Sequence, residues 1–433
     1  MAEISVSASE VRLALSRFEQ FAGLHGDVAV PMPLIRGAEV IADPFANIRG
    51  VRAPGLGIPR RLCIGTWRGR GVRSFVAARS GVPAIRVRTL GRGSGAEFDE
   101  LIVTVPDAVR VAAQIRDVLD VERVGVSERE VRFRSGDGTV LTGTVTVPAG
   151  AEGGPAAVIL TGSGRLDRDG DHAKLPIGVS RALADALAEK GVASLRYDKR
   201  GVAHSGGNYL SAGLSDNIAD AAAAVDWLGT TGGFGRNSIA VIGHSEGACL
   251  AVALGADRGV DPAAVVLLAC PAVTGRQVLQ WQSGKAVDGL PAPVRAVLRA
   301  LRIDVKERQR AALEKLSRST TDTARMGGRR VNARWFREFL DFDPKPLLRE
   351  NPAPVLAITG AKDVQVDPAD LTAIAELVPG QVDTVRVPDL THLIRRDTAP
   401  PSLRAYRRLV RDAVDPEVLS LVADWTAGHL RRA

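Results

Sequence analysis

The run Gly243-His244-Ser245-Glu246-Gly247 constrains this chain more than any other. It joins an apolar β-type run, Ile239-Ala240-Val241-Ile242, to a helix of small residues that begins near Glu246. A serine in a G-x-S-x-G turn between strand and helix sits on a sharp, strained bend that holds its hydroxyl clear of the sheet. Both glycines answer a steric need, because a side chain at either flank would clash where strand and helix approach. Chance alone can supply the bare pattern in a chain with 45 glycines among 433 residues. Its flanks, and the partners that follow it in order, give it weight.

A change of rhythm divides the chain near residues 120–127. Upstream, over 1–122, β-type runs at Ala38–Ile41, Ser74–Ala78, Ala84–Thr89 and Glu100–Val105 are separated by turns such as Ala53-Pro54-Gly55-Leu56-Gly57, and one helical stretch, Asp107–Leu119, closes the segment. Strands followed by a single helix predict a small β-rich domain, a barrel or bent sheet plugged by that helix. Downstream, over 123–433, Arg129–Arg134 and Val140–Val147 form a hairpin around Ser135-Gly136-Asp137-Gly138-Thr139. Strand runs follow at Ala157–Leu160, Ala193–Leu195, Ile239–Ile242, Val265–Ala269, Val355–Ile358 and Val382–Val387. Helical patterns alternate with them at Gly178–Lys190, Asp216–Leu228, Glu246–Leu254, Pro368–Leu377 and Pro401–Ala413. An antiparallel pair leading into βα repeats predicts an α/β domain with a mostly parallel, doubly wound sheet. The alternation breaks once, between Pro271 and about Leu348. That polar, helical segment is too long for an ordinary connection and predicts a cap, about 272–348, inserted after the sixth strand.

Charge and cysteine usage narrow the function classes. The net charge is +8, yet only eight of the 57 basic residues are lysine, and Arg, Ala and Gly are abundant throughout, as in a GC-rich genome. No nucleic-acid recognition motif and no basic face interleaved with aromatics is present, which argues against nucleic acid as a partner. Between Arg276 and Lys345 the cap carries 16 basic and eight acidic residues, an excess equal to the net charge of the chain. Cys63, Cys249 and Cys270 are scattered without a C-x-x-C, which fits a reduced compartment; Cys249 and Cys270 read as small buried hydrophobes. Met1-Ala2-Glu3-Ile4-Ser5 has neither a basic start nor an apolar run, and no stretch of about 18 apolar residues exists. The expectation is a cytoplasmic protein without a membrane span.

Acyl transfer needs a nucleophile, a base, a carboxylate that orients the base, and donors for the oxyanion. Ser245 is the candidate nucleophile. Among six histidines, His25 lies in the first part, His172 and His204 precede the serine, His244 is inside the turn and expected to point away from the pocket, and His429 lies in a terminal helix. His392, in Asp389-Leu390-Thr391-His392-Leu393 just beyond the last strand, is the candidate base. Asp363 follows the Val355–Ile358 run and is the candidate acid. Its rival Asp367 reads better as the cap before Pro368, and Asp389 is a more distant choice. The order Ser245, Asp363, His392 is the one expected of α/β-hydrolases.

Oxyanion donors are expected from the Glu246 amide and from Ser163 or Gly164, in the small-residue loop after Ala157–Leu160. A dinucleotide-binding reading of that loop fails, since Asp167 occupies the third glycine position, and no P-loop or H-E-x-x-H occurs. Asp167-Arg168-Asp169-Gly170-Asp171 lacks EF-hand spacing, so pairing with Arg168, Lys199 or Arg200 is the expected role of its aspartates. Asp198 and Arg200 are expected to pair with each other and fix the loop beside the oxyanion segment. No cofactor and no metal are expected.

Residues 125–433 resemble bacterial α/β-hydrolase esterases related to the prolyl-oligopeptidase superfamily. The matching stretches are Gly162-Ser163-Gly164 with Asp167-Arg168-Asp169-Gly170, Arg196-Tyr197-Asp198-Lys199-Arg200-Gly201, Gly243–Gly247, Trp335-Phe336-Arg337-Glu338-Phe339-Leu340 with Asp343-Pro344, Thr359–Val366 and Thr391-His392-Leu393. The resemblance implies serine carboxylesterase activity on short acyl esters, with Trp335 and Phe336 on a cap segment over the substrate pocket. The spacing of Trp335, Phe336 and Phe339 also suits a helix face packed on the core. Arg165 departs from the pattern, which often has proline after Gly-Ser-Gly, and so puts the shape of the oxyanion loop in question. Ile48-Arg49-Gly50-Val51-Arg52-Ala53-Pro54-Gly55 and the closing helix resemble bacterial pleckstrin-homology-like domains over about 30–120. Such an accessory module could bind a lipid or a protein partner; an unrelated β-rich module is the alternative.

The leading functional expectation is a serine hydrolase acting on a small-molecule ester. An acyl-CoA thioesterase or peptidase-like hydrolase would use the same three residues, and the basic cap suits an anionic acyl donor. A non-catalytic binding protein on a hydrolase scaffold is the reading from another class, opposed by the complete set of serine, acid and histidine.

Overall fold

A computed structural model describes residues 2–48, 50–69, 72–89, 96–122, 125–172, 175–288, 305–326 and 328–430. The chain divides into two compact units, Met1–Val124 with Arg407–Ala413 and Gly125–Tyr406 with Val414–Ala433.

In the first unit, β1 (Glu3–Val6), β2 (Glu10–Ala14) and β3 (Val28–Pro31) form an antiparallel sheet, with the short helix α1 (Arg17–Gly23) between the last two. A second sheet contains β4 (Ile35–Ile41), β5 (Val51–Ile58), β6 (Leu62–Arg68), β7 (Arg73–Arg79), β8 (Ala84–Thr89) and β9 (Glu100–Thr104), in the order β4-β8-β9-β7-β6-β5. It is not a plain succession of hairpins, because β7 and β9 pair in parallel. Helix α2 (Ala108–Glu122) supplies Val111, Ala112 and Ile115 to one core with Val11 and Leu13 of the first sheet and Phe75, Ile85 and Leu101 of the second.

The second unit opens with the expected hairpin, β10 (Val126–Arg134) on β11 (Val140–Pro148). It continues through β12 (Ala156–Leu160), α3 (Val179–Glu189), β13 (Ala193–Tyr197), α4 (Leu214–Thr230), β14 (Ile239–His244), α5 (Glu246–Ala256) and β15 (Ala264–Leu268). The cap follows. Among its described residues are α6 (Gly275–Asp288), α7 (Val305–Ser317), a hairpin of β16 (Thr323–Met326) with β17 (Arg329–Asn332), α8 (Ala333–Asp341) and α9 (Pro344–Glu350). The chain then returns to the sheet through β18 (Val355–Gly360), α10 (Asp370–Leu377) and β19 (Val382–Val387), and ends with α11 (Pro416–Leu430).

The eight sheet strands run in the order β10-β11-β13-β12-β14-β15-β18-β19 and are parallel from β13 onward. Alternation along each strand explains the double cover. Val158, Leu160 and Val241 face a core shared with α4, α5 and α10, while Ile159, Ala240 and Ile242 face one shared with α3 and α11. This is the α/β-hydrolase fold, and it brings the carboxyl ends of the parallel strands to one edge, where open α/β sheets bind ligands.

Two expectations are corrected. The cap is not wholly helical, since the β16–β17 hairpin interrupts it; its residues 289–304 lie outside the described ones. Pro401–Ala413 is not a single helix but a 3₁₀ turn at Leu403–Ala405 followed by one α-turn at Tyr406–Leu409. The helix proper starts later because the Asp415 carboxylate accepts the Val418 amide at 2.9 Å and Pro416 occupies the first turn.

Candidate active site

Ser245 stands between β14 and α5 with φ 57° and ψ −116°, in the positive-φ half of the map where non-glycine residues rarely sit. The neighbouring backbones pack closely on both flanks. A Cβ on Gly243 would collide with the Gly247 carbonyl, and one on Gly247 with the Leu160 carbonyl of β12. The Ser245 amide donates to Leu268 O of β15 at 2.9 Å, tying the turn to the adjacent strand. Ser245 itself is half-buried.

Asp363 follows β18 and is buried. One of its oxygens, Oδ1, accepts the amides of Gln365 at 2.7 Å and Val366 at 3.0 Å. The other, Oδ2, lies 2.8 Å from Nδ1 of His392, which follows β19 and is also buried. A carboxylate only accepts, so Nδ1 carries the ring proton and Nε2 is left as the basic nitrogen. The rival carboxylates are engaged elsewhere: Asp367 accepts the Ala369 amide at 3.0 Å, and Asp389 is ion-paired with Lys362 at 2.8 Å.

The turn that carries His392 is tightly held. The Thr391 amide and hydroxyl both donate to Arg395 O at 2.9 Å, and the Ile394 amide donates to Thr391 O at 3.0 Å. The Arg395 side chain is almost wholly buried and donates to Leu393 O at 2.7 Å and Ile177 O at 2.6 Å. His244, inside the elbow, is buried beside His392. Its ring centroid lies 5.0 Å from that of His392, and its Nε2 donates to His392 O at 2.8 Å. Burial, with a lesser contribution from His392, lowers its pKa to about 3, so the ring is neutral and holds that donor proton at ordinary pH. Neither His244 nor Arg395 carries a sequence signal for this role, because each reaches a backbone carbonyl far away in the chain, that of His392 and that of Ile177.

On the other side of Ser245 runs the loop after β12. Gly162 is buried, and a Cβ built on it would lie 3.4 Å from Cβ of Ser245. Ser163 is exposed, and among the described residues neither its amide nor that of Glu246 has an acceptor in the chain. The ion pairs around this loop differ from expectation. Lys199 pairs with Glu246 at 2.7 Å rather than with the loop aspartates, and it also donates to Gly162 O at 3.0 Å. Asp198 pairs with Arg168 at 2.8 Å, whereas Arg200 pairs with Asp220 and Asp137. Asp169 pairs with Arg196 at 2.6 Å, and Asp167 caps its own loop by accepting the Asp169 and Asp171 amides. The Arg165 guanidinium lies 5.3 Å from the Tyr209 ring centroid. Among the described residues no cluster of His, Cys, Asp or Glu is placed to hold a metal ion.

Trp335 stacks on Phe339 at 4.8 Å and packs against the main core, while Phe336 joins a small cap cluster with Leu313, Leu316 and Leu340. Both rings are thus engaged in packing. The cap is anchored by the Arg334–Asp216 ion pair at 3.0 Å and by Gln282, which donates to Gln365 O at 3.1 Å beside the Asp363 turn.

A sequence model of one family, serine aminopeptidase S33, matches residues 176–399, more than half of the chain. The chain belongs to this family. The match covers Ser245, Asp363 and His392 but starts beyond the Gly162–Gly164 loop. Esterase EstD of Thermotoga maritima is 28% identical over 300 residues, which are 68% of this chain and 67% of that protein. Among solved structures, the proline iminopeptidase of Mycobacterium smegmatis is 16% identical with a TM-score of 0.48, over 70% of this chain and 99% of that one. The Pyrococcus furiosus esterase Pf2001 is 17% identical with a TM-score of 0.46, over 71% and 91%. No helix among the described residues is long and apolar enough to cross a membrane.

Proposed function

We propose that this hydrolase cleaves carboxylic esters of small or short-chain acyl groups through an acyl-enzyme. The observation that carries the reading is the 2.8 Å contact between Asp363 Oδ2 and His392 Nδ1 in the two turns after β18 and β19, on the sheet edge where Ser245 is presented. Ser245 Oγ attacks the acyl carbonyl and its proton passes to His392 Nε2. Asp363 fixes the tautomer and offsets the charge of the imidazolium. The oxyanion is received by the amide of Glu246 and by that of Ser163 or Gly164. Collapse of the tetrahedral adduct expels the alcohol, which takes the proton from His392, and water then cleaves the acyl-serine by the same route. The 28% identity to an esterase supports the choice of ester.

The family's description as a serine aminopeptidase supports a second reading, hydrolysis of an aminoacyl bond by the same residues. Parallel assays with a nitrophenyl butyrate and an amino-acid nitroanilide separate the two, and the first is expected to be turned over faster. Ser245→Ala is expected to lower ester hydrolysis by about 10⁴-fold or more. A Ser245→Ala enzyme with wild-type turnover overturns the proposal.

A further inference from the structure

We propose that Lys199 is a positioning residue of the oxyanion site and that Ser163, rather than Gly164, supplies the loop donor. The inference rests on the serine-hydrolase reading above and asks what aims the loop amide. Lys199 is buried two residues past the end of β13, in Tyr197-Asp198-Lys199-Arg200. Its ammonium makes two short contacts, with Gly162 O at 3.0 Å and with Glu246 Oε1 at 2.7 Å. Asn217 Nδ2 donates to the same Glu246 oxygen at 3.0 Å. One cation therefore ties the loop after β12 to the first residue of α5, the two segments that flank Ser245.

The peptide joining Gly162 to Ser163 is planar and trans, so its carbonyl and its N–H point in opposite directions. Anchoring Gly162 O on buried Lys199 turns the Ser163 N–H the other way, toward the open side of the loop. That amide has no acceptor in the chain among the described residues, Ser163 is exposed, and Gly162 packs over the Ser245 Cβ. The ammonium also polarises the peptide it grips, which strengthens the N–H as a donor. Lys199 touches neither substrate nor reacting atoms in this scheme; it acts through Gly162. The bland alternative is that Lys199 serves only to neutralise Glu246, which is buried and would be expensive to leave unpaired.

Two variants of the full-length protein distinguish these roles, Lys199→Met alone and Lys199→Met with Glu246→Gln. The double variant removes the buried charges together and so avoids the stranded carboxylate that could unfold the single one. Active serines are counted first with a fluorophosphonate, and kcat for nitrophenyl butyrate is expressed per labelled serine, so any unfolded fraction drops out. Both variants are expected to lose about 30-fold in kcat with KM changed less than about twofold, and to bind butylboronic acid, whose serine adduct carries the tetrahedral oxyanion, more weakly by a similar factor. A double variant with wild-type kcat and boronate affinity overturns the positioning role and leaves Lys199 as a counter-ion. Wild-type protein that the fluorophosphonate does not label at Ser245 overturns the serine-hydrolase reading itself, a different result from any obtained on the variants.

Discussion

The two sides of the candidate site are held by different forces. On the nucleophile side, close backbone packing does the work. Gly243 and Gly247 leave no space for a Cβ, Ser245 stands at positive φ, and a buried Lys199–Glu246 pair ties the start of α5 to the loop after β12. On the acid–base side one backbone contact is as close, since a Cβ on Gly360 would meet the Leu390 carbonyl, but the two functional residues themselves are held mainly by hydrogen bonds. Asp363 and His392 are placed by amide-to-carboxylate bonds, by a hydrogen-bonded turn, and by Arg395 and His244 gripping carbonyls. A side resting on backbone contact should lose its fold when a methyl group is added. A side resting on hydrogen bonds should lose its chemistry first and keep its fold.

Asp363→Asn applies the largest expected effect to that contrast. The amide is nearly the size of the carboxylate and can still accept the Gln365 and Val366 amides, but its NH₂ group facing Nδ1 favours the wrong imidazole tautomer. The expected loss in kcat is on the order of 10⁴-fold, with a denaturation midpoint near that of wild type. Steady-state kinetics beside urea unfolding would show it, and a variant that unfolds instead breaks the comparison. Gly247→Ala is the mirror image. Its Cβ meets the Leu160 carbonyl, an atom of a central strand that cannot step aside. We expect a stability loss of about 3 kcal/mol or more, read from the urea midpoint. A Gly247→Ala protein of wild-type stability would show that the turn is looser than the contact implies.

The buried carboxylates sharpen the contrast further. Glu246 has a cation and an amide donor, whereas Asp370, at the start of α10, has the Ala272 amide and no ion-pair partner among the described residues. Burial raises the Asp370 pKa to about 6 from an ordinary 3.8. The folded state then holds a proton that the unfolded chain releases first, so this group makes no demand below about pH 4, and stability falls as pH rises toward 6 and stays lowered above it. Asp370→Asn is accordingly expected to stabilise the protein by about 2 kcal/mol at pH 8 and by almost nothing at pH 4. Thermal melts at the two pH values test this, and equal effects at both would show that charge is not the cause.

What could be read from the sequence divides along the same line. The turn at Ser245 and the strand-end positions of Asp363 and His392 are local signals, since glycine spacing, apolar runs and the residue after a strand all lie within a few positions of one another. The sheet strands and the hairpin at Val126–Pro148 were legible for the same reason. Lys199, His244 and Arg395 were not. Their partners, Glu246, His392 and Ile177, are 47, 148 and 218 residues away, and two of the three contacts end on carbonyls that every residue possesses. The Asp198–Arg200 expectation failed because nearness in sequence says nothing of which neighbour a side chain meets; Asp198 found Arg168 and Arg200 found Asp220. In the first unit, α1 is only seven residues long and turns Phe18 and Phe21 outward, so it offered no apolar periodicity to read.

His244 gives the smallest effect and joins both sides, being the last residue of β14 before Ser245 and a donor to the carbonyl of His392. His244→Phe fills much the same space but leaves that carbonyl without its donor, so the base should be less well aimed. The expected change is about a tenfold fall in kcat with KM unaffected. A second signature has a definite sign. The pKa of His244 is about 3 in the folded chain against an ordinary 6.5, so the unfolded state binds a proton more readily, and the wild-type protein loses stability as pH falls from about 6.5 toward 3. Phenylalanine cannot titrate, so the variant should lose less stability than wild type on moving from pH 7 to pH 4.5. Melting temperatures of both proteins across that range decide the matter, because parallel curves would mean that His244 is not held neutral beneath the base.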